Sequence, residues 1–542
     1  MSGALRPTTG DVYHEPWTYQ PREVRVVPGD EVTSDRTVRA DVCVIGTGAG
    51  GAPVAKELAE GGMAVVVLES GDRFTTDDYN ARPREMTSLL YRDAGQTVTI
   101  GNVPIVLPMG EAVAGSTLIN SGTCFRTPDV ILESWGERFG LDALSPDELD
   151  PFFRRVEREI HVVQVPEELA GNNALVIKRG ADKLGWSGDF IFRNASGCVG
   201  SGVCNWGCPT SAKLHMGLTY MPRAWDAGAT TYTLCRADKL DVAGGRLRAV
   251  EARAKGRGRL RVECDTVVVA GGAIHSPLLL ERNKLGLESG ELCNNLALHP
   301  AAGVRARFDE EINMARGVPQ SYYVDEFCDE GIMFEGAAGP PDYAAMSFPF
   351  SREAHRGLML DYLHLAQFGL MVSDTSRGSV RPLPGSSFRM SYALNDEDLR
   401  TFKRGIELLV ECYWAAGAQE VYPPVEGIGI LRDGDTDTLR RHDTQARDLT
   451  LAAFHPLGTA RADAREDHGV VDGDLKLHGV DGVYVCDGSV VPSSIGVNPQ
   501  ITIMALATRL AYHLLDKPAP VDEPEPEKIA RPRIRKVHAV TA

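Results

Sequence analysis

No uninterrupted apolar run in this sequence approaches the roughly 20 residues that a membrane-spanning helix needs, so no membrane span is expected. Positive charge is scarce as well. Lys and Arg number 57 against 74 Asp and Glu, a net charge of −17. That excludes a nucleic-acid surface built on clustered basic residues and argues against docking on anionic lipid. The first forty residues hold Glu15, Arg22, Glu23, Arg25, Asp30, Glu31 and Asp35, with no apolar stretch of secretory type and no twin arginine. A cytoplasmic location is the expectation. Cysteine is too thin for a disulfide scaffold, 11 in 542 residues. Cys43, Cys124, Cys235, Cys264 and Cys486 sit in or beside apolar stretches and read as small core residues. There is no internal repeat. What is present is ordinary globular composition, 43% hydrophobic and 24% charged, in a chain long enough for two large, closely packed domains.

Ala40-Asp41-Val42-Cys43-Val44-Ile45 is a short apolar run of the kind buried in parallel sheets, and Gly46 ends it. Residues 49–60 place small and apolar side chains at helical spacing before Gly61-Gly62 stops them. Residues 64–68 form a second buried strand ending at Glu69, which completes a βαβ unit. Similar runs at 266–270 and 483–486 scatter strands of one sheet along the chain. The expected fold class is therefore α/β. A discontinuous Rossmann-like domain covers 38–306 with 451–516 and includes a Cys-containing loop at 195–215. An α+β substrate domain on an antiparallel sheet is inserted at 307–450. Alternation at Phe388-Arg389-Met390-Ser391-Tyr392 marks strands there, and Asn395 to Ala416 reads as a long amphipathic helix with an acidic start. Residues 1–37 read as an arm over the surface, and 517–542, rich in Pro, Glu and Arg, as a mobile tail.

Gly46-Thr47-Gly48-Ala49-Gly50-Gly51 lies between the first strand and its helix. Gly46 permits the tight turn, Gly48 lets a pyrophosphate approach the backbone, and Gly51 lets helix and strand pack closely. The helix N-terminus offers free N–H groups to phosphate. Glu69, 18 residues past Gly51, suits ribose hydroxyls and repels a 2′-phosphate. These features leave FAD and NAD both open. A second segment, Gly110 to Gly122, is rich in glycine and hydroxyl groups around apolar Val113, Leu118 and Ile119, and can lay amides against a flat polar ring.

Taken with Ala270-Gly271-Gly272-Ala273-Ile274-His275-Ser276-Pro277, His455-Pro456-Leu457-Gly458-Thr459, Asp487-Gly488-Ser489 and Gly496-Val497-Asn498-Pro499, the sequence resembles the glucose–methanol–choline (GMC) oxidoreductases over about residues 38–516. The likeness extends to their long-chain alcohol oxidase and FAD-dependent dehydrogenase branch. Ala114 departs from the pattern, since many members carry glycine there. The resemblance implies non-dissociating FAD. It puts Gly46, Gly48, Gly51 and Glu69 on the ADP half, and Gly110, Gly115, Ser116, Asn120, Asp487, Gly488 and Pro499 near the flavin. Ala237 would touch the adenine through its backbone. It also implies a His–Asn catalytic pair, His455 and Asn498.

The chemistry fits that pair. An alcohol hydroxyl does not ionise freely at neutral pH, so hydride loss from its carbon requires a positioned base, and histidine suits that task. His455 is assigned as the base. Asn498 would hold the substrate oxygen and aim the carbon hydrogen at flavin N5. Asn498 also reads as a helix cap with Pro499 at the first helical position. Such a helix start would stabilise charge arriving with the hydride. His299 reads as structural. Cys198, Cys204 and Cys208 followed by Pro209 read as free or partly paired thiols. The alternative is an iron–sulfur cluster, because the spacing resembles that of bacterial FAD-dependent glucose dehydrogenases. Zinc lacks a clear fourth ligand beyond His215. The expected reactants are a small-molecule alcohol and an electron acceptor such as oxygen or a quinone. Two other readings stay open: a lyase with structural FAD, and a nucleotide-binding protein without catalysis.

Overall fold

The computed structural model describes residues 19–336, 338–348, 352–385, 387–521 and 532–538. Its first layer is a six-stranded parallel sheet in the order Val26–Pro28, Thr230–Thr233, Val65–Leu68, Val42–Ile45, Thr266–Val269, Val483–Val485. The central strands are buried on both faces, which is why they read as unbroken apolar runs rather than alternating ones. The helix Gly51–Glu60 makes the crossover between Val42–Ile45 and Val65–Leu68. Cys235–Ala243, Arg246–Ala254, Arg259–Glu263 and Arg36–Arg39 form a smaller four-stranded sheet beside it.

The second layer is a nine-stranded sheet whose central strand, Ala301–Arg307, pairs antiparallel with Leu365–Val372. Ile332–Gly336 continues it antiparallel on the far side of Leu365–Val372. Gly188–Phe190, Ile105–Val106 and Leu451–Ala452 also join this sheet, so it draws on residues outside 307–450. Asp396–Ala416 and Asn172–Leu184 pack against one face. Asn395 caps the longer helix by accepting from Asp398 N at 2.8 Å. Strand alternation puts Val304, Phe368 and Leu370 toward those helices in one apolar cluster. Gly303, Arg305, Gln367, Gly369, Met371 and Glu335 take the opposite face, toward a cavity between the two layers.

Residues 1–18 of the expected arm lie outside the described residues. Within the rest, Val26–Pro28 is an edge strand of the parallel sheet and Arg36–Arg39 pairs with Arg259–Glu263. In the expected tail, the described 532–538 segment lies against 325–331: Arg533 N and Arg535 N donate to Asp325 and Asp329. No helix among the described residues is long and apolar enough to cross a membrane.

Candidate active site

A cavity of about 1190 Å³ runs between the sheets. Every residue expected at the cofactor or in catalysis lines it except Gly51. Gly51 is buried in the first turn of its helix, where an added Cβ would lie 2.0 Å from Gly46 O. It therefore serves close helix–strand packing. Gly46 turns at φ +102 with an added Cβ 2.3 Å from Ala270 O. At Gly48 the only protein atom within reach of such a Cβ is Ala114 O at 4.0 Å, so this glycine opens straight into the cavity. The first bond within the helix runs from Ala52 N to Gly48 O, leaving the amides of Ala49 and Gly50 at the cavity wall for an anion.

Glu69 ties this turn down. It accepts from Thr47 N at 3.1 Å, Thr47 Oγ1 at 2.6 Å and Gly71 N at 2.8 Å, and burial raises its pKa. Thr47 Oγ1 in turn accepts from Ala114 N at 3.0 Å, linking the glycine turn to the second loop. Ala114 holds φ +90, a left-handed conformation that explains why glycine suits the position better. Gly110 N donates to Ser116 Oγ at 3.1 Å. Asn120 Nδ2 donates to Gln500 Oε1. Beneath this loop Lys213, 1% exposed, donates to Leu118 O at 2.7 Å and Asn120 O at 2.6 Å. Asp487 accepts from Gly272 N at 2.8 Å and Ser489 N at 2.8 Å, joining two turns of the parallel sheet at the cavity. A groove floored by glycine, with turn amides at one end and a glycine-rich loop along it, fits FAD.

His455 and Asn498, 43 residues apart in sequence, meet at the cavity wall with Nε2 and Nδ2 separated by 3.2 Å. Burial, with His299 beside it, holds the His455 pKa well below its ordinary value, so the ring is neutral at pH 7. The His299 ring sits 5.4 Å from that of His455, edge to face. Its Nε2 accepts from Ile495 N at 3.0 Å and Gly496 N at 3.1 Å, fixing the turn that leads to Asn498. Burial, with Arg377 as a second cause, lowers the His299 pKa to about 3, so this acceptor is permanent.

The helix after the pair is Gln500–Leu514, with Pro499 as its N-cap residue. Asn498 is not the cap; this corrects the sequence reading. Its side chain turns away from the helix and donates to Glu335 Oε2 at 3.2 Å as well as facing His455. Glu335 went unnoticed in the sequence. It is buried, also accepts from Gln320 Nε2, and its pKa is pushed up to about 7 by burial against those two bonds. Arg305 and Lys213 were missed too. For Glu335 and Arg305 the only signal was a charged residue in a strand otherwise mostly apolar or small; Lys213, among Thr210, Ser211 and His215, carried none.

The cysteine loop covers part of the cavity through Asn205 and Trp206. Among the described residues no three His, Cys, Asp or Glu side chains form a group that could hold a metal. Arg193 Nη2 donates to Cys204 Sγ at 3.1 Å, and Cys208 Sγ lies 3.5 Å from Thr210 Oγ1. Burial pushes the Cys204 thiol up. Cys208, which burial alone would raise, is drawn down by hydrogen bonds from Thr210 and the Lys213 amide.

Two family models of GMC oxidoreductases match residues 87–301 and 374–507. An uncharacterised GMC-type oxidoreductase of Mycobacterium tuberculosis is 40% identical over 490 residues, covering 89% of this chain and 77% of the relative. The chain belongs to the GMC oxidoreductase family. A long-chain-alcohol oxidase of Arabidopsis thaliana is 27% identical over 528 residues, covering 88% of this chain and 68% of that protein. Pyridoxine 4-oxidase from Mesorbium loti superposes with a TM-score of 0.68 at 19% identity, covering 87% of this chain and 98% of that one. Formate oxidase does so at 0.69 and 15%, covering 89% and 99%. Both show the same α/β fold. This GMC protein is accordingly an oxidoreductase with a Rossmann-like domain whose cavity suits FAD.

Proposed function

We propose that the chain oxidises an alcohol at a CH–OH carbon to the aldehyde or ketone, with His455 as general base and Asn498 as the group that holds the substrate oxygen. One observation carries this reading: His455 Nε2 and Asn498 Nδ2 stand 3.2 Å apart on the wall of the cavity that opens at Gly48. A hydroxyl that bridges the two nitrogens from the cavity side, in place of their mutual contact, accepts from the amide and donates to a neutral imidazole. His455 is kept neutral by burial and by His299, so it is ready to receive the proton. Asn498 is held in orientation by Glu335, and its second amide hydrogen, which faces His455 Nε2, is the one that would turn to the substrate oxygen. FAD, when bound along the glycine turn and the Gly110 to Gly122 loop, supplies the two-electron acceptor for the hydride that leaves the carbinol carbon. The remaining reactant is an external electron acceptor such as oxygen or a quinone. The apolar walls, with Met346, Phe348, Met371 and Phe454, suit a long or bulky alcohol, in keeping with the alcohol oxidases among the relatives.

The test is anaerobic mixing of the yellow protein with a panel of alcohols. The expected result is bleaching of the flavin by at least one of them, slowed about 10² to 10⁴-fold in His455→Ala with FAD content unchanged. A lyase with structural FAD would convert its substrate without bleaching, and that outcome would sink the proposal.

A further inference from the structure

Arg305 stands on the cavity floor in a setting that the proposed reaction does not use. It is 4% exposed and opposite Gln367 in the sheet. Nε donates to Gln367 Oε1 at 3.0 Å and Nη1 to Gly303 O at 3.3 Å. The guanidinium lies over the Phe348 ring, 5.1 Å from its centre. It pairs with no carboxylate among the described residues, and Nη2 has no partner there. Burial, opposed by Tyr343 and Tyr413, lowers its pKa to about 10, so it stays cationic at neutral pH. A buried, unpaired cation is costly unless an anion comes to it.

Glycines line the floor between Arg305 and the reacting pair. Gly303 faces Gly369 across the sheet, and Gly369 faces Glu335, which bonds Asn498. Two strand spacings across and two residues along put the Arg305 and Glu335 Cα atoms about 12 Å apart. We propose that Arg305 is the receptor for an anionic group on the substrate, so that the preferred alcohol carries a carboxylate several bonds from its CH–OH carbon. The free edge of one planar guanidinium matches one carboxylate. Among the described residues no second cation acts on Arg305, so a phosphate dianion would be left half-compensated. The inference rests on the reading of this cavity as the alcohol site.

The experiment uses the FAD-loaded full chain. Decanoate, which cannot be oxidised at a carbinol, is titrated against wild type, Arg305→Met and Arg305→Lys while flavin absorbance is followed. kcat/KM is then compared for ω-hydroxydecanoate and decanol. Decanoate should bind wild type and weaken at least about tenfold in R305M, with partial recovery in R305K. The hydroxy-acid to alkanol ratio of kcat/KM should fall by a similar factor. R305K carries the same comparison with wild type if R305M does not fold, because it keeps the charge but lacks the fork. Equal decanoate binding in wild type and variants, or none in wild type, overturns the receptor. Arg305-dependent decanoate binding without flavin bleaching by any alcohol would instead keep the receptor and remove the alcohol reading.

Discussion

Replacing Glu335 by Gln isolates one buried charge. Glu335 Oε2 accepts from both Asn498 Nδ2 and Gln320 Nε2, while Oε1 has no partner. The carboxamide oxygen of Gln can keep both bonds and put its NH₂ where Oε1 was, so the substitution removes charge more than contact. Burial raises the carboxyl from 4.5 to about 7 in the folded chain. A raised acid favours the folded state only while protonated. Relative to the unfolded chain its contribution is fully present below pH 4.5 and lost as pH rises through about 7. At 1.36 kcal/mol per pKa unit the loss is about 1 kcal/mol at pH 5.5 and about 3 kcal/mol at pH 8. Glu335→Gln escapes it, so the variant should gain roughly 2 kcal/mol on wild type between those two pH values. Urea midpoints of the FAD-bound proteins at each pH measure this. Parallel pH profiles for the two proteins would show that the carboxyl is not buried as described and would refute the reasoning.

Two neighbouring glycines should fail in different ways. Gly48→Val puts its side chain into open cavity, so it should yield folded but colourless protein, read by circular dichroism beside the flavin absorbance. Gly50→Ala drives a Cβ to 1.7 Å from Cys486 O, a backbone atom, and should cost folding itself, read as a lower melting temperature or insoluble protein. Lys213→Met strips buried acceptors at Leu118 O and Asn120 O of their donor and should destabilise the chain by about 1–3 kcal/mol in a denaturant titration.

The parallel layer was legible because of where it sits. A strand covered on both faces favours apolar side chains throughout, and Val42–Ile45, Val65–Leu68 and residues 267–269 follow that rule, whereas Thr230–Thr233 of the same sheet does not. The antiparallel layer was harder to read. Leu451–Ala452 and Ile105–Val106 have two residues each, too few to show a period, and what recruits them is backbone pairing that no side chain advertises. Val26–Pro28 joins the parallel sheet at its edge for the same reason, from a stretch whose polar flanks read as an arm.

At the site, motif and packing spoke for different residues. His455 and Asn498 were legible because each stands in a run of glycine and proline that fixes its backbone. The rest of Asn498's environment was not. Its preference for capping misdirected the reading, and the helix begins at Gln500 because the side chain is spent on Glu335 and His455. Glu335 sits in Ile-Met-Phe-Glu-Gly and Arg305 in Ala-Gly-Val-Arg-Ala, strands whose other positions are mostly apolar or small. In a strand covered on one face by helices, an ionisable residue must point to the other face, and there it needs either water or a ligand. Both charges therefore look onto the same cavity, one held by the amide at the reacting end and the other still lacking a carboxylate at the far end. That asymmetry is why the floor of this sheet, more than the glycine loops shared across the family, should decide which substrate the proposed reaction accepts.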